Sequence, residues 1–174
     1  MSIESLKASL RTFPDFPKEG ILFWDVTTLF KDADNLRELL DDLYERYKDK
    51  GITKVVGLEA RGFILGSALA VRLGAGFVMA RKHGKLPADT IAQTYIKEFG
   101  RDSIEIHTDA ITPDDVVLIH DDLLATGGTM TAAYNLVRKF GPKAVYLNFC
   151  IEIEGLRGRD ALPEGVEVSS VIKV

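Results

Sequence analysis

The sequence predicts an α/β fold, a mostly parallel central sheet flanked by helices. Three observations carry this. Short apolar runs at 55–58, 77–80, 116–119 and 145–151 alternate with segments of helical character, the pattern of βαβ units. The runs are apolar throughout, as in strands covered on both faces. The chain has 174 residues, 46% hydrophobic and 28% charged, values that suit one soluble globular domain, 1–174.

The elements follow in order. Ile3, Leu6 and Leu10 share one face of a first helix over about 4–11. Phe13-Pro14-Asp15-Phe16-Pro17 stops it, because proline cannot continue a helix. Residues 21–25 read as a short extended piece. A helix over about 35–50 buries Leu36, Leu39, Leu40, Leu43 and Tyr47, and Asn35 with Glu38 three residues on resembles a capping box. The run at 55–58 leads into a helix over 63–73, and the segment from Gly128 to about Phe140 is helical again. Residues 91–107, rich in Thr, Tyr and Ile around Gly100-Arg101-Asp102, suggest a hairpin or a long excursion from the sheet. An excursion of that size is often a functional lid.

Composition excludes several classes. Lys+Arg 22 against Asp+Glu 26 gives a net charge of −4, which argues against a general nucleic-acid binder. The one cysteine, Cys150, rules out an intrachain disulfide and the Cys/His zinc spacings. No apolar run reaches the roughly 18 residues of a membrane span, and the amphipathic start lacks an apolar signal core. The expectation is a cytoplasmic protein with no membrane or nucleic-acid partner.

In open α/β sheets ligands bind beyond the carboxyl ends of the strands, so the residues after Leu58, Ala80 and Ile119 matter most. After Ile119 stands His120-Asp121-Asp122-Leu123-Leu124-Ala125-Thr126-Gly127-Gly128-Thr129. A glycine-containing loop that opens a helix aims backbone N–H groups and the helix dipole at an anion, and Thr126 and Thr129 add hydroxyl donors. Asp121 and Asp122 can accept hydrogen bonds from vicinal hydroxyls. A phosphate cup beside a diol acceptor pair specifies a ribose 5-phosphate group. The Walker A pattern is absent, since Gly84-Lys85 is followed by Leu86. After Leu58 stands Glu59-Ala60-Arg61-Gly62-Phe63, an arginine in a turn before a helix, placed to clamp a phosphate. After Ala80 come Arg81, Lys82 and Lys85, three cations within five residues. Two cationic turns and one cup imply a ligand with phosphate at both ends, which matches phosphoribosyl pyrophosphate.

These residues resemble the type I phosphoribosyltransferase family. The run 116–129 looks like its phosphoribosyl-pyrophosphate signature. Phe13-Pro14-Asp15-Phe16-Pro17, Gly20-Ile21-Leu22-Phe23, Glu59-Ala60-Arg61-Gly62-Phe63 and Arg81-Lys82 with Gly84-Lys85-Leu86-Pro87 are similar to the family's adenine branch. The resemblance covers nearly the whole chain. It implies transfer of the 5-phosphoribosyl group of phosphoribosyl pyrophosphate to N9 of adenine, giving AMP and pyrophosphate in purine salvage. The implied cofactor is Mg2+, held mainly through pyrophosphate and ribose hydroxyls with no direct protein ligand, and the implied assembly is a homodimer.

The resemblance also implies roles. Ala125, Thr126, Gly127, Gly128 and Thr129 would hold the 5-phosphate, and Asp121 and Asp122 the ribose hydroxyls. Arg61, Arg81, Lys82 and Lys85 would contact pyrophosphate, some of them in a partner subunit's site. Adenine would sit against Leu22, Phe23 and Trp24, with Leu22 and Leu123 on its faces and backbone reading its edge. A 6-oxo purine would leave such a site's buried groups unpaired. Residues 1–33 would contribute to a small base-binding hood, and 88–107 would form a mobile loop that shields the reaction from water. Glu98 would hold a proton at N7 as N9 attacks. A non-proline cis peptide is expected in the 59–61 turn. Trp24 stands where relatives often carry arginine, Phe99 where many carry tyrosine, and His120 where an apolar residue is usual. His120 is expected to point away from the sugar, and Cys150 to be an inert core residue. The alternatives are a phosphoribosyltransferase for a 6-oxopurine, xanthine or orotate, and a non-catalytic regulator on the same fold.

Overall fold

The structure, a computed structural model, describes residues 3–97 and 100–174. It opens with α1 (Ile3–Ala8), then an antiparallel ribbon of β1 (Arg11–Pro14) and β2 (Leu22–Asp25). The prolines end α1 as expected, yet the chain between them and the helix is a strand, because Arg11, Thr12, Phe13 and Pro14 pair with Asp25, Trp24, Phe23 and Leu22. Asp25 secures the ribbon. Its carboxylate accepts from the Thr27 hydroxyl at 2.6 Å and from Arg11 Nη2 at 2.5 Å. These two bonds hold its pKa down to about 2.

A short α2 (Thr27–Phe30) leads to α3 (Ala33–Tyr47). The capping residue of α3 is Asp32, in extended backbone, not Asn35. Its carboxylate accepts from the N–H groups of Asp34 and Asn35 at 3.1 and 2.9 Å. Asn35 is already inside the first turn, so the helix starts two residues earlier than its apolar stripe suggests.

There follow β3 (Lys54–Leu58), α4 (Gly62–Leu73), β4 (Gly76–Lys82), β5 (Thr90–Lys97), β6 (Gly100–His107), β7 (Val116–Leu124), α5 (Gly128–Arg138), β8 (Ala144–Glu152), two 3-10 turns (Glu154–Leu156 and Gly158–Ala161) and β9 (Val168–Lys173). Seven strands form one sheet in the order β5-β6-β4-β3-β7-β8-β9. The five from β4 to β9 run parallel, and the β5–β6 hairpin joins antiparallel at the edge of β4. The hairpin therefore extends the sheet instead of leaving it. Arg81 and Lys82 pair with Glu105 and Ile104, and Ile104 and Ile106 are buried in the core. β9 escaped the sequence reading because Ser169 and Ser170 interrupt its apolar residues.

Each face of the sheet has its own core. Leu39, Leu43, Leu65 and Leu69 of α3 and α4 pack with Leu118 and Cys150 on one face. Ala133, Leu136 and Val137 of α5 pack with Val56, Ile119 and Phe149 on the other. Each fully buried Leu, Ile or Val among them contributes about 1.5–3 kcal/mol of transfer free energy. Glycines bring the start of α4 onto the strands. A Cβ on Gly57 would stand 2.9 Å from the Gly62 carbonyl oxygen, and one on Gly62 would stand 2.8 Å from the His120 carbonyl oxygen. That close approach sets the 59–61 turn against the end of β7.

Candidate active site

The carboxyl ends of β3, β4, β7 and β8 meet at one edge of the sheet. β7 runs on to Leu124, past the expected end at Ile119, because β8 pairs with it as far as Glu152. Asp121 and Asp122 thus sit on a strand, where the ladder fixes their backbone. The Asp122 N–H donates to Asp121 Oδ1 at 2.9 Å. Asp122 is 3% exposed. Arg61 Nε stands 2.7 Å from its Oδ2, yet the N–H is not aligned on it, and Oδ2 has no hydrogen-bond partner among the described residues. Burial pushes the pKa of both carboxyls up. The neighbouring Asp122 charge pushes Asp121 further, while Arg61 opposes the rise at Asp122. A buried acceptor without a donor is costly, and a ribose hydroxyl can supply that donor.

Beyond β7 the chain turns through 125–127 into α5. Gly127 has φ +83, a conformation that favours glycine. Asp121, Leu123, Ala125, Thr126, Gly127, Gly128 and Thr129 line a cavity of about 80 Å3. The first turn of α5 contains no acidic residue, so its N–H groups and dipole face the cavity unopposed. Thr131, not Thr129, tethers the loop, its hydroxyl donating to Gly127 O at 2.9 Å and to Ala161 O at 2.8 Å. The loop rests on the turn after β8. A Cβ on Gly158 would stand 2.3 Å from Ala125 O, and one on Gly127 would stand 2.4 Å from Gly158 O. Gly158 carries no local sequence signal for this role, because its partner, Ala125, lies far back in the chain.

The two cationic turns are held together by Glu59, which the sequence reading left without a role. The Glu59–Ala60 peptide is cis, as expected. Glu59 accepts from the Lys82 N–H at 2.8 Å and from Arg81 Nε and Nη2 at 3.3 and 3.2 Å. Arg81 Nη1 also donates to Lys85 O at 3.4 Å. Lys82 and Lys85 are exposed and form no ion pair among the described residues. Arg61 is brought to the acid pair, and Arg81 to Glu59.

The expected base-binding residues separate. Leu22 and Trp24 line a largely apolar cavity of about 750 Å3 with Ile21, Thr126, Ile153 and Leu156. Thr126 therefore borders both this cavity and the phosphate cup. Phe23 points to the other face of the ribbon, where its ring meets Phe16 edge-on at 5.1 Å in a cleft shared with Phe13. Leu123 lines the phosphate cup. Ile153 and Leu156 follow the carboxyl end of β8, and the rule that ligands sit beyond strand ends would have found them. Glu98 and Phe99 lie outside the described residues. His120 is fully buried on the α4 side, its Nδ1 2.7 Å from Asn148 Oδ1. Desolvation lowers its pKa to about 4, so it is neutral and turned away from the cup. His83 pairs with Glu105, and His107 Nε2 lies 2.8 Å from Pro87 O. Cys150 is buried in the core. Among the described residues no three His, Cys, Asp or Glu cluster as a metal cage, and no helix is long and apolar enough to cross a membrane.

Residues 26–160 match the phosphoribosyl transferase domain family. A Phocaeicola vulgatus protein named adenine phosphoribosyltransferase is 64% identical over 172 residues, 99% of each chain. The crystal structure of adenine phosphoribosyltransferase from Rhodothermus marinus superimposes with a TM-score of 0.93 at 50% identity, over 99% of this chain and 98% of that one. The Giardia lamblia enzyme, solved in complex with 9-deazaadenine, gives 0.95 at 43% identity, over 100% and 98%. With a family match over 26–160 and an adenine-named relative 64% identical along 99% of the chain, the chain belongs to the adenine phosphoribosyltransferases of the phosphoribosyltransferase family.

Proposed function

We propose that this enzyme makes AMP and pyrophosphate from adenine and phosphoribosyl pyrophosphate at the edge where β2, β3, β4 and β7 converge. The observation that carries the reading is Thr126, which borders both the 5-phosphate cup and the apolar cavity of Leu22 and Trp24. A phosphate and a flat base joined through a ribose would span the two, with Asp121 and Asp122 beneath the sugar.

In the reaction the bond from C1′ to the pyrophosphate oxygen breaks and the bond from C1′ to N9 forms. Loop 125–129 fixes the phosphate end, and the acid pair fixes the ribose hydroxyls. Together they hold C1′ in line between base and leaving group. Arg61, Lys82 and Lys85, with Arg81 nearby, stabilise the negative charge that grows on pyrophosphate, so the leaving group needs no proton. Glu98 takes the proton from N7 as N9 gains its bond to carbon, so the base of AMP is left neutral. Leu22 and Trp24 keep water from the base. The donor set suits Mg2+ carried on the substrate, with Asp121 and Asp122 engaged on the ribose hydroxyls while pyrophosphate and ribose oxygens provide ligands. When bound, the ion supplies charge neutralisation on pyrophosphate.

The family match begins at residue 26, beyond β2, whereas the adenine-named relative matches 99% of the chain. Base choice is assigned in this reading to β2, whose Leu22 and Trp24 line the apolar cavity. A cytoplasmic location belongs to this reading, supported by the single buried thiol. So does a homodimer, supported by the exposed Ile64 and Val71 on α4. The test is direct. Mg2+ and phosphoribosyl pyrophosphate are supplied with adenine, hypoxanthine, guanine, xanthine or orotate, and nucleotide and pyrophosphate are assayed. AMP from adenine alone is the expected result. Turnover of another base would keep the sugar-phosphate site and overturn the role of β2.

A further inference from the structure

We propose that Glu59 is the positioning residue for the pyrophosphate-facing cations, a single carboxylate that sets where Lys82 and Lys85 stand relative to Arg61. The inference rests on the reading above, in which those lysines meet pyrophosphate.

Glu59 follows the last residue of β3, and its own N–H donates to Ala80 O at 3.0 Å, tying it to the neighbouring strand. Its side chain then reaches the next two residues of that strand. Oε2 accepts the Lys82 N–H at 2.8 Å, and both carboxylate oxygens take the Arg81 guanidinium at 3.2 and 3.3 Å. This is a fork-on-fork pairing, the geometry that adds direction as well as attraction. The third arm of Arg81 reaches Lys85 O at 3.4 Å. The chain of contacts runs from the carboxylate through Arg81 to the carbonyl of Lys85, closing the turn that bears the lysine. Lys82 is held by its own backbone.

The charges agree with this division of labour. Glu59 and Arg81 neutralise one another in a half-buried pair whose side chains are 16% and 30% exposed. Lys82 and Lys85 stay exposed without an ion pair among the described residues. Burial pushes the Glu59 carboxyl up, but the Lys82 N–H and the Arg81 guanidinium outweigh it and hold the pKa below its usual value. The acid is therefore ionised wherever the enzyme works. Glu59 is also the residue before Ala60 and Arg61, so its position is shared by the other phosphate-facing turn.

The experiment measures the affinity of the full-length protein for inorganic pyrophosphate by calorimetric titration, together with the KM values for phosphoribosyl pyrophosphate and for adenine. The variants are Glu59→Ala, Glu59→Gln, Arg81→Ala, the Glu59→Ala/Arg81→Ala double and Lys82→Ala/Lys85→Ala. Loss of a charged positioning contact should weaken pyrophosphate binding about tenfold or more, as loss of an outer partner does elsewhere. The KM for adenine should stay unchanged, a split that general loosening of the fold would not produce. Glu59→Gln keeps an acceptor for the Lys82 N–H and should recover part of the affinity. It also serves as the test if the alanine variant does not fold. The Glu59/Arg81 double should be no worse than the worse single, because the two act as one unit. Additive losses, or unchanged pyrophosphate affinity in both Glu59 variants alongside a loss in the lysine double, would overturn the positioning role and leave the lysine assignment standing. Unchanged affinity in the lysine double would overturn that assignment and the positioning role with it.

Discussion

His120 stands one residue before the Asp121–Asp122 pair, and it illustrates what a buried polar group does in this chain. It is fully buried, and its Nδ1 meets Asn148 at 2.7 Å, but His120 Nε2 and Asn148 Nδ2 have no partner among the described residues. The imidazole is neutral because desolvation outweighs the Asn148 bond and lowers its pKa from 6.5 to about 4. The linkage has a definite sign. Below 6.5 the unfolded chain takes up a proton that the folded chain refuses until about pH 4, so folding stability is intact above that window and falls as pH drops through it. The loss approaches ~3 kcal/mol for one group. Chemical denaturation at steps from pH 7 to pH 4 should show this slope, and the His120→Leu/Asn148→Leu double should flatten it. Replacing both partners by apolar groups should cost little stability at pH 7. An identical slope in the double variant would show that the carboxyls held below their usual pKa, with Asp25 foremost, govern the acid limb.

Among the elements, the phosphate loop and the turn after β8 act as one unit. Each depends on a glycine in the other, since a Cβ at Gly158 would fall 2.3 Å from Ala125 O and one at Gly127 only 2.4 Å from Gly158 O. Both obstacles are backbone, so neither can swing aside as a flexible side chain would. Gly158→Ala should push loop 125–129 outward and raise the KM for phosphoribosyl pyrophosphate by about tenfold or more, because small displacements of a positioning element are expensive. The adenine KM should change less. Steady-state kinetics with each substrate varied in turn checks this, and an unaltered KM for the sugar pyrophosphate would mean that the loop does not lean on this turn. The same pair shows what was legible in the sequence. Asp121, Asp122 and residues 125–129 are contiguous on one strand-to-helix passage, so their chemistry could be read in order. Gly158 and Glu59 act on partners far along the chain, through contacts that no local spacing encodes. The helices and central strands were visible from their periodicity, whereas β9 was broken by two serines and β1 was masked by the prolines at its end. The separation of Phe23 from Leu22 and Trp24 follows from alternation in a strand, and only the pairing with β1 settled which face meets the cavity.

At the scale of the whole molecule, an enzyme of net charge −4 must draw in a substrate that is itself polyanionic. It does so by sorting its charges. Arg61, Arg81, Lys82 and Lys85 gather at the carboxyl ends of β3 and β4, beside the open first turn of α5. The acids there are either tied to arginine, as Glu59 is, or buried at the end of β7, as Asp122 is. Lys82 and Lys85 lie at the surface, where charges interact through water and are screened by salt. Adenine carries no charge, and in the proposed reading it meets the apolar cavity lined by Leu22 and Trp24. The two substrates should therefore respond differently to ionic strength. Raising KCl from about 0.05 M to about 0.5 M shortens the Debye length below the span of the cationic turns and should lower kcat/KM for phosphoribosyl pyrophosphate several-fold. The KM for adenine should hold nearly constant. In Lys82→Ala/Lys85→Ala the salt dependence should shrink along with the starting value, because the exposed charges that salt screens are gone. Equal salt sensitivity for both substrates would point instead to a change in the protein as a whole, and an undiminished slope in the lysine double would place the steering field on Arg61 and the α5 terminus.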